Sequence, residues 1–129
     1  MVVDTSVIVA IALREPSAAA LLASILSAPS RELSIVSYVE AATVLTPRGV
    51  TPARLDALVK ELDLTLVPVD EAQGREAVRA RIAFGKGSGH PAQLNFGDTF
   101  TYALAKTRGA PLLFVGEDFS RTDLIDARA

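Results

Sequence analysis

The sequence contains no cysteine and only one histidine, His90, among its 129 residues. The lack of cysteine excludes disulfides and thiolate metal sites, and a single histidine excludes a multi-histidine zinc site within one chain. Aromatic residues make up only 5 % of the chain, so no stacking platform for single-stranded RNA is expected. Carboxylates are therefore the plentiful metal ligands that remain, and their oxygens suit Mg²⁺ or Mn²⁺.

An excess of basic charge and a long uncharged apolar run are also missing. The net charge of −2 argues against a protein that coats nucleic acid by bulk electrostatics, although an enzyme can still hold nucleic acid through a metal. Residues 1–13 are apolar, but Asp4 interrupts them and no basic leader precedes them, so neither a signal peptide nor a membrane span is expected. We predict a soluble cytoplasmic protein, folded as a single domain over residues 1–129.

Short apolar runs alternate along the chain with helical segments. Strands are predicted at residues 2–3, 33–36, 64–69 and 112–115. Helices are predicted at 6–13, from 16 to about 28, after 37, after 52, from 70 to about 84, and at 96–108. This alternation predicts a three-layer α/β/α fold around a central parallel sheet of about four to five strands.

Capping residues mark several of the helix starts. Ser37 and Glu40 match the S-x-x-E capping box, which places Glu40 in the first turn of a helix after the second strand. Asn95 caps the helix that runs to Arg108, and Gly109 ends it. The apolar residues expected to face inward from that helix are Phe96, Phe100, Ala103 and Leu104.

Four acidic residues are expected at one edge of the sheet. Asp4 and Asp118 follow the first and fourth strands, and Glu40 follows the second. Asp98 begins the helix that leads through a tight turn into the fourth strand, so its helix start lies at the carboxyl end of that strand. Ligands bind at the carboxyl ends of parallel strands, so the four acids converge where a site is expected.

Each acid taken alone is better explained locally, as a helix cap, a favourable charge at a helix start or a turn residue. Together they suggest more, because neighbouring carboxylates repel one another unless a cation lies among them. The four would hold one divalent ion firmly and a second loosely, and the pattern leaves open whether one or two act. The chemistry expected of such a site is phosphodiester hydrolysis by a metal-activated water.

Several motifs, in order, carry a family resemblance. They are MVVDTS (1–6), SYVEA (37–41), FGKG (84–87), HPA (90–92), LNFGD (94–98), YALAK (102–106) and LLFVGEDF (112–119). In this order they resemble PIN-domain proteins, and especially the VapC-type toxins of toxin–antitoxin pairs, over essentially the whole chain. The resemblance implies a Mg²⁺- or Mn²⁺-dependent endoribonuclease that cuts tRNA, rRNA or mRNA. It also implies a homodimer and a cognate antitoxin that blocks the acidic groove.

The resemblance assigns the catalytic and metal positions residue by residue. They fall on Asp4, Glu40, Asp98 and Asp118. A hydroxyl that assists the metal or its water falls on Thr5 or Ser6. The last motif departs from the common family pattern because Glu117 precedes Asp118, which leaves open which of the two faces the metal; Asp118 is favoured.

Basic residues offer candidate contacts to RNA phosphates. Lys86 lies in a glycine-rich loop, residues 85–93, that is interpreted equally well as a plain surface loop. Arg75 and Arg79 lie on one helical face and form either a phosphate-binding stripe or, as the default, a solvated face. His90, which precedes Pro91, is interpreted as structural.

Two other functions remain as alternatives. A non-catalytic PIN-type binding module would share the fold, although the presence of all four acids counts against a decayed site. A receiver-like phosphoryl-transfer domain would need an acidic pair after the first strand and an acceptor aspartate at the end of the third. Asp4 stands alone and the third strand runs into Asp70, so that alternative fits only in part.

Overall fold

Four short parallel strands form the central sheet of the computed structural model, which describes residues 1–129. They are β1 (Val2–Val3), β2 (Glu32–Ser34), β3 (Thr65–Val67) and β4 (Leu112–Leu113). The sheet order is β3-β2-β1-β4, with every pair parallel. The segment around Asp126 adds one parallel bridge outside β4, where the Ala127 N–H donates to the Leu112 carbonyl at 2.9 Å. The predicted parallel α/β sheet is therefore confirmed.

Six helices cover the two faces of this sheet. They are α1 (Thr5–Ala12), α2 (Ala18–Ser27), α3 (Ile35–Leu45), α4 (Pro52–Glu61), α5 (Glu71–Phe84) and α6 (Phe96–Arg108). Successive strand residues point to opposite faces. Val3 and Leu113 accordingly pack with apolar residues of α1 to α4, whereas Val2 and Leu112 pack with those of α5 and α6. No helix is long and apolar enough to cross a membrane.

The boundary between β2 and α3 differs from the prediction. The strand ends at Ser34, whose hydroxyl accepts the Val36 N–H at 3.2 Å and caps α3. The predicted capping box at Ser37 is wrong, since Ser37 lies inside the helix and its hydroxyl is 2.9 Å from that of Thr101 on α6. Residues 35 and 36 are β-branched and favour a strand, but the cap and the packing of the helix outweigh that preference. Glu40 therefore lies one turn deeper in α3 than expected.

Two strands are shorter than predicted for identifiable reasons. β3 stops before Pro68, which has no N–H to donate to the sheet. β4 stops at Leu113, and two residues later the Val115 N–H donates to the Ser6 hydroxyl at 3.0 Å. That bond turns the chain away from the sheet edge and ties it to α1.

The inward face of α6 was predicted only in part. Ala103 and Leu104 are fully buried as expected, and Phe100 is partly buried. Phe96 is not inward, because 77 % of it is exposed, with its ring 5.0 Å from that of Phe100. Phe96 is the first residue of the helix. The 3.6-residue periodicity alone cannot distinguish a residue at the end of a helix from a buried residue on the same face.

Candidate active site

Asp4 joins β1 to α1 and is almost fully buried, at 5 % exposure. Its Oδ2 accepts the Ser6 N–H at 3.0 Å and the Ser6 hydroxyl at 2.7 Å, so it does cap the helix. Burial raises the pKa of Asp4, while the hydrogen bonds from Ser6 act in the opposite direction. The same Ser6 hydroxyl accepts the Val115 N–H, so one serine links the carboxylate to the segment that leads to Asp118.

Glu40 projects from the second turn of α3 toward the start of α6. Its Oε1 accepts the Thr5 hydroxyl at 3.0 Å. Burial raises the pKa of Glu40 first, the Thr5 bond lowers it, and the nearby Asp4 carboxylate raises it further. The glutamate lies directly against Gly97, where an added Cβ would overlap its carboxylate. Gly97 is therefore a residue that the site depends on and that the sequence did not reveal.

Asp98 lies in the first turn of α6, where it forms a reciprocal capping box with Asn95. The Asn95 N–H donates to Asp98 Oδ2 at 3.0 Å, and the Asp98 N–H donates to Asn95 Oδ1 at 2.9 Å. Burial raises the pKa of Asp98 to about 7 against the effect of the Asn95 bond. The carboxylates of Asp4, Glu40 and Asp118 add to the rise. Asp98 thus lies within electrostatic reach of all three other acids.

The carboxylates of Asp118 and Glu117 affect the pKa values of different neighbours. Asp118 is exposed and makes no hydrogen bond of its own, but it is among the carboxylates that raise the pKa of Asp98. Glu117 instead raises the pKa of Arg128, and its Oε2 accepts the Ser120 hydroxyl at 3.0 Å. This arrangement favours Asp118 over Glu117 as the fourth acid of the site.

The four acids have no basic partner. The six ion pairs of the structure all use other acidic residues. As their side chains stand, no three acidic residues form a group that could hold a metal ion. The oxygens of Asp4, Glu40 and Asp98 contact hydroxyls and backbone N–H groups instead. Uncompensated carboxylates that raise one another's pKa nevertheless fit a divalent cation, which would offset their repulsion.

The candidate RNA-binding residues lie outside this acidic group. Arg75 pairs with Glu71 at 3.4 Å and Arg79 with Glu76 at 2.7 Å, both on α5, which favours the interpretation of a solvated helix face. Lys86 is exposed and has no ion-pair partner. Its N–H donates to the Leu94 carbonyl at 2.9 Å and closes the glycine-rich loop beside the start of α6. Lys86 thus remains a candidate contact for RNA phosphate.

Two buried hydroxyls near the acids were not predicted from the sequence. Thr101 on α6 contributes a hydrogen bond that lowers the pKa of Asp4, and it also contacts Ser37. Both hydroxyls are fully buried, which is expected only where such groups find partners. Thr101 lies three residues after Asp98, so helical spacing places both on the same face of α6. This spacing is the sequence feature that could have predicted Thr101 near the acids.

Comparisons with known proteins agree on one family. The family model of the PIN domain matches residues 1–125. The chain is 47 % identical over 124 residues to the ribonuclease VapC28 of Mycobacterium tuberculosis, a match that covers 95 % of this chain and 93 % of the relative. It is 44 % identical over 126 residues to the ribonuclease VapC of Mycolicibacterium smegmatis, covering 96 % and 97 %.

Solved structures share the same architecture at low sequence identity. The Mycobacterium tuberculosis toxin VapC20, described as cleaving the sarcin-ricin loop, aligns with a TM-score of 0.77 at 18 % identity and covers 97 % of this chain and 96 % of its own. A toxin–antitoxin complex from Klebsiella pneumoniae aligns with a TM-score of 0.72 at 13 % identity, covering 98 % and 96 %. At these identities the likeness establishes the fold alone.

Proposed function

Because this chain belongs to the PIN-domain family, with relatives of the VapC type, we propose that it is a divalent-metal-dependent endoribonuclease and the toxin of a toxin–antitoxin pair. The single observation that carries the proposal is the group of four unpaired acids at the carboxyl edge of the parallel sheet, three of which raise the pKa of Asp98. The names of the relatives support ribonuclease activity. We take residues 1–129 as one PIN domain that carries the whole activity.

Asp4, Glu40, Asp98 and Asp118 would hold Mg²⁺ or Mn²⁺. A bound divalent cation would acidify a water molecule and offset the charge that develops on phosphate oxygens. Asp98 Oδ2 is engaged by the Asn95 N–H, which leaves Oδ1 as the oxygen available for the cation. The same hydrogen bond fixes the rotation of the Asp98 carboxyl group. A pre-oriented ligand of this kind loses little freedom when the cation and the substrate arrive.

The hydroxyls of Thr5 and Ser6 orient two of these carboxylates. Thr5 donates to Glu40 Oε1 and Ser6 donates to Asp4 Oδ2, so each hydroxyl fixes one oxygen of its carboxylate. Both hydroxyls also favour the ionised form of their carboxylate, which is the form that binds a cation. Their proposed role is to orient the acids rather than to attack RNA.

The test is cleavage of total RNA by the purified chain in Mg²⁺, in Mn²⁺ and in EDTA. We expect discrete products that require metal and that disappear with Asp4→Asn or Asp98→Asn. Asp63→Asn is the matched control, since Asp63 is an exposed aspartate at the opposite, amino-terminal edge of the sheet. Cleavage that persists in EDTA, or in both site variants, would overturn the proposal. Absence of cleavage under every condition would move the assignment to a non-catalytic binding module.

A second pair of variants separates the two candidate acids of the last motif. Asp118→Asn should reduce cleavage strongly, whereas Glu117→Gln should leave most of it, because only Asp118 acts on Asp98. The reverse result would assign Glu117 to the site. The receiver-like alternative does not agree with the PIN family and predicts labelling by acetyl phosphate, which we do not expect.

We also propose that the chain forms a homodimer and binds a cognate antitoxin. A homodimer agrees with the exposure of Val39, Val78, Ile82 and Phe96, which are at least 57 % exposed on α3, α5 and α6. Light scattering at micromolar concentration should give twice the monomer mass, and a monomeric mass would refute the homodimer.

One structural neighbour is a toxin–antitoxin complex, and we expect a cognate antitoxin of this chain to suppress RNA cleavage when added in equimolar amount. We place the protein in the cytoplasm, with tRNA, rRNA or mRNA as substrate.

A further inference from the structure

Arg128 makes an unusually complete set of contacts for a partly exposed side chain. Its guanidinium forms a two-point ion pair with Asp126, with Nε 3.0 Å from Oδ1 and Nη2 2.8 Å from Oδ2. Nη1 donates to the Gly116 carbonyl at 2.9 Å. The guanidinium carbon also lies 3.8 Å from the centre of the Phe114 ring. Planar stacking combined with a fork of donors is a geometry that arginine provides and lysine does not.

These contacts hold the short segment that carries Asp118. Gly116 lies two residues before Asp118 and has φ = +93°, in the left-handed region that glycine adopts without strain. On one side the Val115 N–H is bound by the Ser6 hydroxyl, and on the other the Gly116 carbonyl is bound by Arg128. The Asp118 side chain makes no hydrogen bond, so its position depends on how its backbone is held.

The Phe114 ring links Arg128 to the part of the chain that follows Asp118. It contacts both the guanidinium of Arg128 and the ring of Phe119, whose centre is 5.4 Å away. Phe119 is buried and directly follows Asp118. The segment around Asp118 is therefore anchored before it by the Gly116 carbonyl and after it by Phe119, and Arg128 supports both anchors.

We propose that Arg128 is a positioning residue that holds the backbone segment of Asp118 beside the other three acids, where Asp118 would serve as the fourth ligand of the cation. The inference rests on the proposed metal-dependent function and deepens it by naming the residue that holds one of the four ligands. Arg128 acts through the backbone of Gly116 and does not itself touch the substrate. Nε, Nη1 and Nη2 each donate within the chain, to Asp126 and to the Gly116 carbonyl, so the guanidinium is held in one orientation.

The first measurement needs no RNA. Mn²⁺ is titrated by calorimetry into the wild-type chain, Arg128→Ala and Arg128→Lys, with Arg121→Ala as the matched control. Arg121 is an exposed arginine of the same region that makes no hydrogen bond or ion pair through its side chain. Loss of an outer support of a metal ligand costs about tenfold or more in affinity, so both Arg128 variants should bind Mn²⁺ at least about tenfold more weakly. The control should match the wild type.

The second measurement reports on the segment directly. Hydrogen–deuterium exchange of the Val115 amide, which donates to the Ser6 hydroxyl, should speed up in Arg128→Ala and Arg128→Lys while exchange in β1 and α6 is unchanged. That pattern distinguishes loss of positioning from general unfolding. Full rescue by Arg128→Lys in both measurements would mean that charge alone matters and would overturn the proposal. Wild-type Mn²⁺ affinity in Arg128→Ala would overturn it as well.

RNA cleavage then separates this inference from the proposed function. Arg128→Ala should lower kcat by about tenfold with KM within twofold, because a ligand is misplaced while the RNA contacts remain. A raised KM with unchanged kcat would instead make Arg128 an RNA-binding residue and refute positioning. If the wild type binds Mn²⁺ but cleaves no RNA, the proposed function fails while the Mn²⁺ and exchange measurements still decide the role of Arg128.

Discussion

Replacing Asp98 with asparagine should stabilise the metal-free protein above neutral pH. The pKa of Asp98 rises from 3.8 to about 7 in the folded chain, so ionisation of this carboxylate at pH 8 disfavours folding. A shift of about three pKa units corresponds to at most about 4 kcal/mol. Because the side chain is only partly buried, solvent screening reduces the expected gain to about 1–2 kcal/mol. Asparagine keeps an oxygen that can accept the Asn95 N–H, so the helix cap is preserved.

The pH dependence of this effect has a definite sign. Below the unfolded-state pKa of Asp98, near 4, the group is protonated in both states and adds no penalty. Between this pKa and the folded-state pKa of about 7, the unfolded chain has lost the proton and the folded chain keeps it, so stability falls as the pH rises through this window. The penalty is fully present above pH 7. Asp98→Asn removes it, so the stability difference between variant and wild type should be well below its full value at pH 4.5 and reach that value at pH 8.

The assay is urea unfolding in EDTA at both pH values, for wild type, Asp98→Asn and the exposed control Asp63→Asn. In Mg²⁺ the wild type should become more stable than Asp98→Asn, since a ligand at one hundred times its Kd adds about 2.7 kcal/mol to the free energy of unfolding of the protein that binds it. The wild type should gain this stabilisation and Asp98→Asn should not. A variant that is less stable than the wild type at pH 8, or a difference that is equal at pH 4.5 and 8, would refute the reasoning.

Further predictions concern the residues that orient the acids. Gly97→Ala should lower RNA cleavage at least about tenfold, because its Cβ would overlap the Glu40 carboxylate and displace it. Gly74→Ala, where nothing lies within 4 Å of the added Cβ near the start of α5, should retain cleavage and gain up to about 1 kcal/mol in urea unfolding. Equal activity of the two alanine variants would contradict the packing argument. Ser6→Ala removes the bonds to Asp4 and to the Val115 N–H and should cost about 1–3 kcal/mol in the same unfolding assay. An unchanged midpoint would show that water replaces both bonds.

The sequence predicted the architecture well because local and global signals agreed. Asp70 and Asn95 stand at helix starts and cap them through the residue three positions later, as their types indicated. Gly109 ends α6 with φ = +60° and turns the chain into β4, which brings Asp98 to the carboxyl edge of the sheet. The order of acids along the chain was therefore enough to place them at one edge.

The sequence failed where tertiary contacts override local preference. Ile35 and Val36 favour a strand, yet Ser34 caps a helix there, so Glu40 reaches the site from the second turn. Neither the contact of Gly97 with Glu40 nor the contacts of Arg128 with Gly116 leave a pattern in the sequence, because they join residues brought together only by folding. The exposure of Phe96 was missed for the same reason.

The most direct test of the central claim, that these four acids form a divalent-cation site, is calorimetric titration of Mn²⁺ into the metal-free chain and into Asp98→Asn. We expect saturable binding to the wild type, and at least about tenfold weaker binding to the variant, because one of four oxygen ligands loses its charge. Equal affinity in the two proteins, or no binding to the wild type, would contradict the account.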